Sequence, residues 1–522
     1  METFGPLAVV PFILSIFFII WQEDVIFPLI GGLFLGSIIV SKFNPFFGFL
    51  NITDIFIINA LTDRLNIFTL IIIIEGLLLF SLLNRSGYLN TLRKQFSKKG
   101  LTKNRLQYII SLSNLVLFID RYFSSLLVGM FSRPFAEKKK LTPEKHAFLL
   151  NTVTSSVSTI IPFTTLTPLI IASIGTAFAN LGISYSPLKV FYKSLPYQYY
   201  NIFSVFIVFS TILLNKELFL MKKYDVMNEE PEAMKTKNNS LSFDTSVLAK
   251  KGSNLNFALY GTAGSLLLVF GIIVIGFVLF RHGYHGLTIL NIENHLKIFI
   301  GALFTGIIYT ILFSLITKTE TYTKYKSKRY EISFTLLVTF TYIILAMSIE
   351  SLAKKFGLST SLIRTLFNKS IVISFLPLIF FLFSSFISFL CGSFFLTATT
   401  VIPLSIRIIS LNMSDPLIID SLIFASVGAV ISGATFGDIN SPFSLNFIIS
   451  TATAETSVAE HFNSQITYSL LSFLITAIFG YMLFAVGVKP YLSISSGLLV
   501  IAIVFIFLNG ETFIFDRIKQ LK

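Results

Sequence analysis

Charged residues are scarce in this chain of 522 residues. They make up 13% of it, whereas 54% of the residues are hydrophobic and the mean hydropathy is +0.80. Soluble domains carry about 25% charged and about 45–50% apolar residues. The shortage excludes an ordinary water-soluble fold, because this much apolar surface is accommodated only against lipid. We therefore expect the lipid bilayer to be the main partner of the chain.

Cysteine is nearly absent, since Cys391 is the single one, and an intrachain disulfide is excluded. The sequence also lacks the P-loop, HExxH and GxSxG patterns, so neither an ATP-driven pump nor an intramembrane protease is supported. We expect a protein that is not an enzyme and binds no cofactor. The net charge of +14 is expected in cytoplasmic loops rather than in a nucleic-acid surface.

Long apolar runs are what the chain does have. A spanning helix needs about 20 apolar residues, and on that basis the sequence predicts roughly 11–14 crossings. Proline, glycine and polar residues interrupt four of the apolar segments, which predicts at least two broken or re-entrant helices. These segments are residues 114–130, 153–179, 392–409 and 428–449. The expected fold is an all-α polytopic membrane bundle.

One long polar segment, residues 223–254, divides the chain and is expected to be a flexible linker. It would separate a first transmembrane half, residues 1–222, from a second half, residues 255–522. No sequence repeat is evident. Each half nevertheless holds polar residues at membrane depth, which is typical of two-half inverted-repeat transporters.

Two basic loops, residues 85–105 and 133–145, pose a question of topology. Basic loops favour the cytoplasmic side, but one straight helix between these two would place them on opposite sides. Either the helix breaks near Asp120 and turns back, or one loop departs from the rule. The sequence leaves both alternatives open.

Asp120 and Arg121 stand side by side in an apolar run. Charges at bilayer depth are costly unless paired or hydrated, so each is a functional candidate. Neighbouring helix residues point in different directions, so adjacency does not make these two partners. We expect Asp120 and Arg121, with Ser124, to line an ion or substrate site. An interfacial ion pair at a helix end is the alternative.

A second candidate site is the segment 432–444, where Gly433, Gly437 and Pro442 are expected to break a helix around Asp438. A broken helix frees backbone groups and helix ends to coordinate an ion. An ordinary polar loop is the alternative. The expected ligands are Asp438, Asn440, Ser441 and Ser444.

Three isolated residues complete the candidates. Thr397 belongs to a hydroxyl-rich segment that either lines the site or bonds to its own helix. Glu75 lies mid-span, where it is expected to be protonated or paired with a residue such as Arg121. Glu75 and His461 are candidates for a proton relay, and a structural role is the alternative for His461.

Buried carboxylates favour exchange by competition, because such a group holds either a proton or a metal cation. If Na⁺ and H⁺ compete for one carboxylate and access to it alternates, exchange follows. The sodium ligands would be Asp120, Asp438 and Ser441.

In these blocks the sequence resembles the NhaC family of sodium/proton antiporters, within the ion transporter superfamily. Residues 120–134 resemble that family's Asp-Asp-Tyr-Phe-Asn block and the Arg-Pro that follows it. Residues 428–450 resemble its Ser-Gly-Ala-x-Phe-Gly-Asp-x-x-Ser-Pro block, and His461, Gln465 and Tyr468 match the residues after it. The resemblance implies a sodium/proton antiporter that works by alternating access. We expect it in the inner membrane of a bacterium, and a homodimer is a candidate for its assembly.

The sequence departs from the family pattern at two acidic positions: Arg121 replaces the second acid of the first block, and Leu445 stands where an Asp is expected. Ser124 also stands in place of the Asn of the first block. A guanidinium keeps its proton, so it either takes the place of a coupling cation or attracts an anion. The alternative function is therefore an organic-anion or amino-acid exchanger, for example of malate/lactate type, with Arg121 binding a small carboxylate. A receptor-like membrane protein without transport is a third interpretation.

Overall fold

The computed structural model describes residues 5–22, 25–98, 100–227, 254–281, 292–318, 329–358, 373–412 and 416–520. Every regular element within these ranges is helical, which confirms the expected all-α fold. Residues 228–253, most of the expected linker, lie outside the described residues. The division of the chain into two halves thus stays a prediction.

The described helices before residue 228 include one π-helical segment, Ile52–Ile57, between α3 and α4. They are α1 (Val10–Gln22), α2 (Ile26–Val40), α3 (Pro45–Asn51), α4 (Ile58–Thr62), α5 (Arg64–Arg85), α6 (Tyr88–Lys98), α7 (Lys103–Val116), α8 (Arg121–Lys138), α9 (Pro143–Ile160), α10 (Thr167–Leu181), α11 (Pro187–Ser194), α12 (Tyr199–Leu214) and α13 (Phe219–Met227).

The described helices after residue 253 include a second π-helical segment, Thr476–Met482, between α21 and α22. They are α14 (Leu255–Arg281), α15 (Ile292–Ile316), α16 (Arg329–Phe356), α17 (Leu376–Cys391), α18 (Phe394–Asn412), α19 (Pro416–Asn440), α20 (Leu445–Ala454), α21 (Val458–Ile475), α22 (Leu483–Ala485) and α23 (Pro490–Gln520).

Ten helical segments of the described chain are long and apolar enough to cross a bilayer. The number is eleven if a pair bent by 45°, Pro187–Tyr197 and Tyr199–Leu214, counts as one span. Three shorter apolar helices are Leu7–Trp21, Ile26–Val40 and Thr167–Leu181. Together these agree with the expected polytopic bundle.

Helices α7 and α8 form a hairpin whose tip is the turn at residues 117–120. Helix α8 begins after Asp120, whose Oδ1 caps it by accepting the Phe123 N–H at 2.9 Å. An aspartate at this position satisfies a helical N–H that has no partner within the helix. Just beyond the tip, Ser124 of α8 donates to Asn114 Oδ1 of α7 at 3.1 Å. The chain therefore turns back at Asp120.

The open end of this hairpin brings the two basic loops together. Arg93, from residues 85–105, donates a hydrogen bond to the Met130 carbonyl at 3.0 Å, near residues 133–145. Both loops lie at one end of the bundle, which we call the basic end. Of the two topologies that the sequence left open, the helix that breaks near Asp120 is the correct one.

A second turn, at Gly392 and Ser393, joins α17 to α18. Gly392 has φ 64°, a left-handed conformation that favours glycine. A Cβ at this position would lie 2.5 Å from the Cβ of Phe443 and 2.8 Å from the backbone nitrogen of Ser444. The turn thus packs directly on the segment between α19 and α20.

Helix α19 continues through Gly433 and Gly437 to Asn440, so the expectation that these glycines break the helix is wrong. Their role is close packing, since small residues allow helices to approach. A Cβ on Gly433 would lie 2.5 Å from the Phe381 carbonyl oxygen, and one on Gly437 would lie 2.3 Å from the Phe389 nitrogen, both in α17. The break is confined to residues 441–444.

A matching break separates α9 from α10 at residues 161–166. There the Thr165 N–H donates to the Ile119 carbonyl at 2.9 Å, in the tip of the α7–α8 hairpin. Each turn therefore packs on a break: the hairpin tip at residues 117–120 packs on residues 161–166, and the turn at Gly392 packs on residues 441–444. This paired arrangement is the one expected of a two-half transporter with broken helices.

We expect Gly437→Ala to destabilise the protein by about 1–3 kcal/mol, because the added methyl overlaps the backbone of α17. The matched control is Gly301→Ala in α15, where an added Cβ meets nothing within 4 Å. Thermal unfolding of the purified variants measures the difference. Equal melting temperatures for both variants would contradict the packing role.

Candidate functional site

A buried ion pair joins the two sets of broken helices. Arg121 Nη1, at the start of α8, lies 2.6 Å from Asp438 Oδ2 in α19, and each side chain is 2% exposed. Two hydroxyls complete the surroundings of the carboxylate: Ser444 donates to Oδ1 at 3.0 Å and Ser155 donates to Oδ2 at 3.2 Å. The structure thus brings together three predicted residues, Arg121, Asp438 and Ser444. Ser155, which was not predicted, also belongs to this site.

The Arg121 guanidinium has further partners besides Asp438. Its Nη2 donates to the Tyr122 hydroxyl at 2.8 Å. The guanidinium carbon lies 4.8 Å from the centre of the Tyr122 ring and 5.5 Å from the centres of the Phe394 and Phe395 rings. Such cation–π contacts contribute about 0.5–2 kcal/mol each. Among the described residues, Arg121 Nε has no hydrogen-bond acceptor.

Asp120 points away from this pair although it is adjacent to Arg121 in sequence. Its Oδ1 caps α8, and its Oδ2 accepts the Thr165 hydroxyl at 2.8 Å. Both oxygens therefore hold the hairpin tip against the break at residues 161–166. The geometry gives Asp120 a positioning role, and its proposed sodium contact stays a prediction.

Asn446, one residue after Leu445, is the centre of a buried polar network that the sequence analysis missed. Its Nδ2 lies 2.9 Å from Ser155 Oγ and from Thr154 Oγ1, and its Oδ1 accepts the Ser125 hydroxyl at 2.9 Å. The network connects α8, α9 and α20. It adjoins the ion pair, because Ser155 bonds to both Asn446 and Asp438. The available signal was an asparagine in the first turn after the break, next to Leu445.

The remaining hydroxyl and amide candidates bond mainly to nearby backbone. Asn440 and Thr397 donate to carbonyls one turn earlier in their own helices, at 2.7 and 2.9 Å. Ser441 Oγ accepts the Phe443 N–H at 3.3 Å in the turn between α19 and α20. For Thr397 this is the alternative considered from the sequence. Sodium binding by Asp120, Asp438 and Ser441 therefore stays a prediction. Of these three residues, Asp438 takes part in the ion pair with Arg121.

Glu75 does not pair with Arg121, so that suggestion is wrong: Arg121 is held by Asp438. Glu75 lies in the middle of α5, and its Oε2 has no hydrogen-bond partner among the described residues. His461 is fully buried, with Nε2 2.9 Å from Gln465 Oε1. Gln465 in turn donates to the Ile439 carbonyl at 2.5 Å. His461 therefore supports the helical turn that carries Asp438.

A cavity of about 60 Å³ lies against Arg121. Its wall includes Asn66 and Thr69 of α5 and Ser393 at the second turn. About 10–15 Å³ of such volume holds one water molecule, so this space accommodates a few waters or a small ion. Within the described ranges, no group of three or more His, Cys, Asp or Glu side chains forms a metal site.

Comparisons with known proteins show what the chain is similar to. A family profile described as "Na+/H+ antiporter family" matches residues 165–486, which is more than half of the chain. An uncharacterized protein of Haemophilus influenzae is 24% identical over 473 residues, covering 88% of both chains. The crystal structure of the Alcanivorax borkumensis YdaH transporter is 12% identical, with a TM-score of 0.37, and covers 92% of this chain and 98% of that one.

We expect Arg121→Met and Asp438→Asn each to destabilise the protein by about 3–5 kcal/mol, because each leaves one buried charge unpaired. The double variant should lose clearly less than the sum of the two. Unfolding of the purified single and double variants measures this coupling. Additive losses would show that the two charges do not depend on each other.

Proposed function

Because the chain belongs to the Na⁺/H⁺ antiporter family, it is a membrane transporter, and we propose that it exchanges Na⁺ for H⁺. The observation that carries this proposal is the buried pair of Arg121 and Asp438 between the broken helices. Exchange requires one carboxylate that holds a cation and a proton in turn. Asp438 has that chemistry, and the Ser155 and Ser444 hydroxyls supply two further oxygens beside it.

The Arg121 guanidinium acts in this proposal as a resident cation. In the present conformation it neutralises Asp438, which keeps the site electrically balanced. When Na⁺ or H⁺ binds to Asp438, Arg121 remains charged. It then rests on the three aromatic rings and the Tyr122 hydroxyl that already surround it. A transported cation thus competes with an internal one, and the carboxylate is never left as an unpaired buried charge.

The position of the pair links binding to movement. Arg121 belongs to the α7–α8 hairpin, whereas Asp438 belongs to α19. A change of occupant on Asp438 breaks or restores a direct contact between these two elements. We propose that this contact couples ion binding to the alternation of access, in the inner membrane of a bacterium.

A second candidate is a carboxylate exchanger, and the unpaired Arg121 Nε beside the 60 Å³ cavity favours it. A small organic anion or amino acid would bind the guanidinium in place of Asp438. The released carboxylate would then take Na⁺ or H⁺. The site is neutral now and would remain neutral with an anion and a cation bound together.

Asp438→Asn should abolish Na⁺-driven proton movement in proteoliposomes, because an amide cannot exchange Na⁺ for H⁺. The matched control is Asp420→Asn in the same helix, whose carboxylate contacts the Tyr185 hydroxyl at 3.5 Å, away from the pair. A pH-sensitive dye inside the vesicles reports the exchange. Undiminished exchange in folded Asp438→Asn would exclude the proposal.

The carboxylate alternative predicts uptake of a small labelled carboxylate that is lost in Arg121→Met. Uptake should be retained in part by Arg121→Lys, which keeps the charge but not the two-pronged geometry. Filter assays on proteoliposomes with and without a Na⁺ gradient measure it. Absence of uptake in the wild type, with intact Na⁺/H⁺ exchange, would rule this candidate out.

A further inference from the structure

Two cavities lie in series between the end of the bundle opposite the basic end and the ion pair. The outer one has a volume of about 310 Å³ and is lined by Asp63, Lys355 and neighbouring residues. The inner one is the cavity of about 60 Å³ against Arg121. Asn66 and Lys354 line both cavities, so these two side chains form the boundary between them.

The Lys354 ammonium closes this boundary through two ion pairs. Its Nζ lies 3.1 Å from Asp63 Oδ2 and 3.1 Å from Glu350 Oε1. Asp63 lines the outer cavity, and Glu350 lines the inner one. Lys354 therefore connects a carboxylate on each side of the constriction.

The three charged side chains at the boundary are all more exposed than those of the Arg121–Asp438 pair. The side chains of Lys354, Asp63 and Glu350 are 40%, 31% and 14% exposed, whereas that of Arg121 is 2% exposed. Surface ion pairs contribute about 0–1 kcal/mol, so we expect the partly exposed Lys354–Asp63 pair to open readily. The buried pair beyond it is far harder to open.

The orientation of the route follows from the helices. Helix α5 runs from Asp63, its N-cap, to Arg85, where the first basic loop begins. Asp63 and the outer cavity therefore lie at the end opposite the basic end. The positive-inside rule assigns that end to the outside of the membrane.

We propose that the two cavities are the outer access route to the Arg121–Asp438 site and that Lys354 is its gate. When the ammonium leaves Asp63 and Glu350, the two carboxylates stand free along the route and attract incoming cations. When it returns, it separates the inner cavity from outside water. This inference rests on the proposed function, because it takes the Arg121–Asp438 pair as the transport site.

The single cysteine of the chain offers a reporter of this gate. Cys391 lines the inner cavity and is buried, with Sγ 3.0 Å from the Ile387 carbonyl oxygen. In this proposal a cationic, membrane-impermeant methanethiosulfonate reagent, 2-(trimethylammonium)ethyl methanethiosulfonate, reaches it from outside by passing Lys354. The rate of labelling therefore measures the opening of the route without any measurement of transport.

We expect Lys354→Met to raise the rate of Cys391 labelling several-fold in right-side-out membrane vesicles and to leave it unchanged in inside-out vesicles. Lys354→Arg, which keeps the cation, should label as slowly as the wild type. The matched control is Lys355→Met, which changes a lysine of the outer cavity alone and should label at the wild-type rate. Cys391→Ser gives the background.

Equal labelling of the wild type and a Lys354→Met variant of normal melting temperature would overturn the gate. So would faster labelling from the inside. If Lys354→Met does not fold, the double variant Asp63→Asn/Glu350→Gln replaces it, with the same expectation and the same contrary result. The labelling test is independent of Asp438-dependent exchange, so failure of the gate and failure of the proposed function are distinguishable.

Discussion

The buried contact between Arg121 and Asp438 constrains everything around it. A charge removed from water and left alone is unstable by several kcal/mol, so each partner holds the other in place. Because Arg121 begins one helix of a hairpin and Asp438 lies in the last turn of α19, the pair also fixes how these elements meet. The hydroxyls of Ser155 and Ser444 bond to the carboxylate of Asp438, and aromatic rings surround the guanidinium of Arg121.

Close packing places the charges where they can meet. Gly437 lies one residue before Asp438 and lets α19 approach the backbone of α17, while Gly392 lets the second turn contact the break at residues 441–444. At the other partner, Asp120 fixes the hairpin tip by capping α8 and accepting the Thr165 hydroxyl. The same site is thus assembled from a cap, two glycine contacts and one ion pair, and the Lys354 constriction controls the approach to it.

Local signals in the sequence predicted the membrane bundle and offered the turn at Asp120 as one of two alternatives. They also singled out Arg121, Asp438 and Ser444, which the structure brings together. Composition and apolar runs are properties of short segments, so they are visible without a structure. The partner of Arg121 was not visible, because 317 residues separate it from Asp438. Gly433 and Gly437 were misinterpreted for a related reason: a glycine that breaks a helix and one that packs against another helix look alike in one sequence.

The proposed exchange requires that Na⁺ and H⁺ compete for Asp438. The most direct test is the thermal stability of the purified protein across a series of Na⁺ concentrations at several pH values, because an ion that binds the folded state raises its stability by mass action. Competition at Asp438 predicts that the Na⁺ concentration needed for half of the stabilisation rises as the pH falls, and that Asp438→Asn shows no stabilisation by Na⁺. Stabilisation by Na⁺ that is equal at every pH, or that persists in Asp438→Asn, would contradict it.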